Sequence, residues 1–101
     1  MVAPTPGTAA ATLLDNVAAG RYEYPLDGEL GWVSYRRDGG LTTLSFARVP
    51  PALEGRGIGA AMVRAVLEAE RARGARVLAT CSFVAAYLDR HPEFDDLREP
   101  R

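Results

Sequence analysis

The chain has 101 residues, of which 48% are hydrophobic and 25% charged, and a formal net charge of −1, which describes one small globular domain. Twelve cations against thirteen anions leave no electrostatic footprint for nucleic acid. One cysteine and one histidine exclude an internal disulfide and an ordinary zinc site, and no apolar run reaches membrane-spanning length, so a cytoplasmic protein without metal or membrane partner is expected.

In chain order, residues 1–11, with Pro4, Pro6 and Gly7, read as a disordered lead-in without the basic and apolar blocks of a signal peptide. One domain is expected over 12–97, followed by a short tail at 98–101. Thr12–Leu14 predicts a short edge strand, with Asp15-Asn16 starting a turn. Arg21–Leu26 alternates as a strand, and Asp27-Gly28 is a two-residue hairpin signal. Glu29–Arg37 is the return strand, Asp38-Gly39-Gly40 a second turn, and Leu41–Val49 a third strand of an antiparallel meander. Tyr22, Tyr24, Trp32 and Tyr35 alternate on these strands, so packing on the sheet is their expected role.

Ile58–Arg73 carries a helical period, with Ile58, Met62 and Val66 on one face, Arg64, Glu68 and Arg71 on the other, and Gly74 as the stop. Arg76–Thr80 predicts a short strand. Ser82 is placed to cap a last helix, Phe83–Arg90, which Pro92 ends. His91 then stands at the helix carboxyl end, where a cation meets free carbonyls. The order implies an α+β fold: a meander, then a β-α-β crossover whose two strands are parallel, then a final helix.

Between the third strand and the long helix lies Val49-Pro-Pro-Ala-Leu-Glu-Gly-Arg-Gly-Ile-Gly-Ala60. Gly55, Gly57 and Gly59 leave backbone amides bare where a helix presents its unpaired donors and positive dipole end, a place suited to a diphosphate. A tight strand-to-helix turn is the competing reading. The dinucleotide fingerprint fails because position 62 is Met, and a P-loop fails because the chain has no lysine.

These residues, together with Cys81-Ser-Phe-Val-Ala-Ala-Tyr-Leu-Asp-Arg-His-Pro-Glu-Phe94, resemble the GNAT superfamily of acyl-CoA-dependent N-acyltransferases, and in particular its small members of about one hundred residues. The resemblance implies acetyl-CoA as co-substrate, without a metal. Its pyrophosphate motif falls on Glu54 to Gly59, so Gly55, Arg56, Gly57, Ile58, Gly59 and Ala60 would hold the diphosphate. Glu54 departs from the usual Gln or Arg; it is expected to point away while Arg56 supplies the charge. The pantetheine arm would pair with the backbone at Val49, and Pro50, lacking an N–H, would let the parallel strands part.

The resemblance further implies a general acid near Tyr87, one residue off the usual place. Cys81 occupies the position of an Asn in larger relatives. It reads either as a small core residue at a strand end or as a catalytic thiol favoured as thiolate by the following helix. The acceptor would be a small-molecule or peptide amine, and the protein a monomer or weak homodimer. Apolar residues at Phe46-Ala47 leave no resident general base on the third strand. An acetyl-CoA- or CoA-binding module with little or no turnover is therefore the alternative.

Overall fold

The computed structural model describes residues 12–99. Five strands, β1 (Leu14–Asn16), β2 (Arg21–Leu26), β3 (Glu29–Asp38), β4 (Leu41–Arg48) and β5 (Arg76–Ala79), form one sheet in that order, with two helices, α1 (Ile58–Arg73) and α2 (Ser82–Arg90). All neighbours are antiparallel except β4 and β5, which are parallel. This is the α+β arrangement the sequence implies. The lead-in expected at 1–11 lies outside the described residues.

Local chemistry explains the boundaries. Asp27 and Gly28 both take positive φ, 54° and 75°, the turn whose twist matches a two-residue hairpin, and they place Leu26 opposite Glu29. Gly74 closes α1 in the left-handed region at φ 73°, its amide on the Arg71 carbonyl at 3.0 Å.

The first strand lies further along than expected. Asp15 stays in the ladder opposite Tyr22 because its carboxylate accepts the Tyr35 hydroxyl at 2.5 Å and pairs with Arg37 at 3.0 Å. Asn16 ends the strand and accepts the Ala19 amide at 3.1 Å, and so opens a short 3-10 turn, Val17–Ala19. Tertiary partners outweigh the turn propensity of Asp15. The capping residue of α2 also differs: it is Cys81, not Ser82. The Cys81 amide donates to the Leu44 carbonyl at 3.2 Å, which holds Cys81 extended, so Ser82 is already the first helical residue.

Both helices lie on one side of the sheet. Tyr22, Tyr24, Val33, Leu44 and Val77 pack there against Met62, Val63, Val66 and Leu67 of α1 and Val84, Tyr87 and Leu88 of α2. No strand residue on the opposite side is fully buried. Beyond α2, a 3-10 turn at Pro92–Phe94 leads to a segment that touches β5: the Val77 amide donates to the Leu97 carbonyl at 2.9 Å, and the Glu99 amide to the Val77 carbonyl at 2.7 Å. The residues expected as a tail thus begin with a bridge to the sheet.

Inside the core, Glu70 of α1 is fully buried and accepts four side chains: Tyr22 at 2.5 Å, Thr42 at 2.7 Å, Arg73 at 2.9 Å and Arg37 at 3.1 Å. Burial alone would raise its pKa, but the hydrogen bonds from Tyr22, Thr42 and Arg37 and the charge of Arg73 hold it below the ordinary value. This cluster ties α1 to β2, β3 and β4 and so fixes the height at which the amino end of α1 meets β4.

Candidate active site

β5 pairs with β4 only from Leu41 to Leu44, and the amides of Thr80 and Cys81 then converge on the Leu44 carbonyl at 3.0 and 3.2 Å. Against β3, Tyr35 faces Leu44 and Ser34 faces Phe46, which leaves Ser45 as one extra residue on β4. A bulge of this kind bends its strand. Ser45–Arg48 runs on with β3 as its one strand partner. The strands therefore part at Leu44, ahead of the expected opening at Pro50. Pro50 is buried, and its carbonyl accepts the Leu53 amide at 2.9 Å in a 3-10 turn, Pro51–Leu53.

Where β4 runs free, the glycine turn and α1 follow. Gly55 and Gly57 take φ 79° and 73°, a region side-chain-bearing residues avoid. The Ala61 amide bonds the Gly57 carbonyl at 3.1 Å, and the amides of Ile58, Gly59 and Ala60 precede it with no side-chain cap. Gly59 has a different requirement. A Cβ there would lie 2.9 Å from Cζ of Phe83 and 3.3 Å from Cγ2 of Val49.

Between the turn and α2 lies a cleft of about 480 Å³. Gly55, Gly57, Ile58, Gly59 and Ala60 form one wall, with Leu53 and Glu54 beside them; Ala47 and Val49 of β4 border it, and Phe83, Tyr87 and Arg90 of α2 face it. One end of this lining is bare backbone amide and the rest is mostly apolar. Such a lining suits a diphosphate with an apolar arm.

Most of the residues expected to bind the cofactor meet here: Val49, Gly55, Gly57, Ile58, Gly59 and Ala60, with Tyr87 opposite. Arg56, expected to bind the cofactor, and Cys81, a candidate catalytic thiol, stand apart. Arg56 pairs with Asp27 at 3.0 Å in a half-exposed ion pair, while Glu54 lines the cleft, the reverse of the expected division. Cys81 is half-buried at the amino end of α2, packed against the core, and is not part of the lining. Tyr87 is buried. Its oxygen accepts Arg64 at 3.4 Å, and its ring stacks on His91 with centroids 3.7 Å apart. His91 Nδ1 lies 2.7 Å from the Tyr87 carbonyl, the helix-end contact expected of it. Phe83 and Arg90 were not singled out in the sequence. Their spacing with Tyr87 at i, i+4 and i+7 was the available signal.

A mixed sheet parted beside a glycine turn at a helix start, with an apolar cleft across it, is the architecture of this α+β domain. Residues 21–97 match the family profile described as GCN5-related N-acetyl-transferase, and the chain belongs to that family. Among solved structures it is similar to the solution structure of a GCN5-like candidate N-acetyltransferase from Staphylococcus aureus, with 20% identity and a TM-score of 0.68 over 94% of this chain and 92% of the other. That likeness bears on the fold. No curated protein matches the chain.

Proposed function

We propose that the protein is an acyl-CoA-dependent N-acyltransferase with acetyl-CoA as donor and an amine as acceptor. The observation that carries this reading is the union, in one cleft, of uncapped amides at Ile58, Gly59 and Ala60 with the free stretch of β4. The amides and the dipole of α1 suit the diphosphate, and the free backbone of β4 suits the amide-bearing pantetheine arm. Arg90 is the cation of the lining and has no ion-pair partner among the described residues. Arg56 is close in sequence, and exposed pairs such as its contact with Asp27 are worth at most about 1 kcal/mol, so exchange onto a phosphate costs little.

The acceptor nitrogen attacks the thioester carbonyl and CoA leaves as a thiolate that needs a proton. Tyr87 is suited to give it: its oxygen is occupied by Arg64, and its own O–H has no acceptor among the described residues. Cys81 lies outside the cleft lining, half-buried where β5 leaves β4, and this reading takes the thioester end to reach toward it. Protection of its thiol from iodoacetamide by acetyl-CoA tests that placement.

The decisive experiment pairs thermal melting with a CoA-release assay. At a hundredfold excess over Kd, a ligand specific to the folded state stabilises by about 2.7 kcal/mol. No upward shift with millimolar CoA refutes the site. A shift without CoA release across amino acids, polyamines and peptides selects a binding module instead.

A further inference from the structure

The next inference rests on the acyl transfer proposed above and concerns the acceptor. Alternation along a strand gives the free stretch of β4 two faces. Ala47 and Val49 line the cleft. Phe46 and Arg48 point to the other side of the sheet, where no strand residue is fully buried, and Phe46 is 51% exposed. Arg48 lies directly opposite Trp32 and Phe46 opposite Ser34. Phe46 and Trp32 are therefore diagonal neighbours, about 7–8 Å apart, within reach of a shared flat ligand.

The charges of this patch are unequally committed. The guanidinium groups of Arg21 and Arg48 lie 4.6 and 5.7 Å from the centroid of the Trp32 ring. Arg21 is bound to Glu23 at 2.8 Å, and Glu23 also accepts Asn16 at 3.1 Å. Arg48 is exposed and has no ion-pair partner among the described residues. The patch therefore offers the exposed ring of Phe46 beside the half-buried ring of Trp32, which the two guanidinium groups flank, and in Arg48 a cation without a carboxylate partner among the described residues, while its own carboxylate is already in use. Such a surface complements a flat apolar body with a negative charge and has nothing for a polycation.

We propose that the acceptor reaches the thioester from this side and is an apolar amine that carries a carboxylate, an aromatic α-amino acid being the simplest case. Its ring lies against Trp32 and Phe46, its carboxylate on Arg48, and its amine at the parted edge of β4. In the transfer the neutral amine nitrogen forms a bond to the acyl carbon, the carbon–sulfur bond breaks, and the proton lost by nitrogen is balanced by the one gained by the CoA sulfur.

Trp32 is the single tryptophan of the chain, so its emission reports on this patch. Phenylalanine and phenethylamine, which lacks the carboxylate, are titrated separately into the CoA-saturated protein. Phenylalanine is expected to change the emission at a roughly tenfold lower concentration, the worth of one charge-assisted hydrogen bond. Arg48→Gln, with an unchanged melting temperature, should remove that difference. Equal midpoints in the unaltered protein, or a difference that survives Arg48→Gln, overturn the inference. CoA release with spermidine and not with phenylalanine also overturns it but leaves acyl transfer standing. Absence of release with every amine, although CoA binds, refutes the transfer and the acceptor with it.

Discussion

The Tyr22 hydroxyl donates to the Glu70 carboxylate at 2.5 Å across 48 residues of sequence, and this bond joins the second strand to the helix whose amino end forms the cleft. Glu70→Gln keeps the size of the side chain but removes the charge that Arg37 and Arg73 face. Loss of one partner from a buried charge cluster typically costs about 3 kcal/mol or more. Chemical denaturation should show a loss of that order. Because the Glu70 pKa is held low, its contribution is full above the ordinary carboxylate range and lost as pH falls through the folded value. The variant should accordingly flatten the acid limb of a stability-versus-pH curve.

At the alkaline end, burial first, and then the bond to Glu70, push the Tyr22 phenol well above its ordinary value. Burial and the bond to Asp15 push Tyr35 up to about 12. Unfolded phenols ionise near pH 10. A raised folded value means that this stability is full below about pH 10 and lost as pH rises further. Melting temperature should fall between pH 9 and pH 11.5 and fall less in Tyr35→Phe; equal slopes for the two proteins would show that Tyr35 is not responsible.

The two turn glycines should fail differently. Gly57→Ala meets no atom within 4 Å, but its φ of 73° costs a side-chain-bearing residue roughly 1–2 kcal/mol. Its effect should appear in stability. Gly59→Ala drives a methyl to 2.9 Å from the half-exposed Phe83 ring, which is able to move into the cleft. Its effect should appear in CoA affinity, measured by calorimetry, and Phe83→Ala in the same chain should restore binding.

Tyr87→Phe should lower turnover by about a hundredfold, the usual contribution of a positioned acid, with CoA affinity retained. Equal kcat in the two proteins would pass the proton to water.

The parts of the fold legible in the sequence are those that local chemistry fixes. Ile58–Arg73 shows its period between two glycines of positive φ, and Asp27-Gly28 admits one hairpin geometry. Glu70 was visible as the next step of the series Ile58, Met62, Val66, but a carboxylate on an apolar face has meaning only once Arg37 and Tyr22 arrive from distant strands. The directions of Glu54 and Arg56 were not legible, since in a glycine turn no periodicity governs where side chains point. The site of parting was misplaced for a related reason: proline is visible in the sequence, whereas the bulge at Ser45 arises from register between β3 and β4.

The contacts of Val77 with Leu97 and Glu99 have a bearing on solubility. They occupy the outer rim of β5, which would otherwise present unpaired donors and acceptors to any extended chain. A polypeptide that ends at Asp96 would lose both and expose a template for edge-to-edge pairing. Such a shortened protein should self-associate at concentrations where the whole one stays monodisperse.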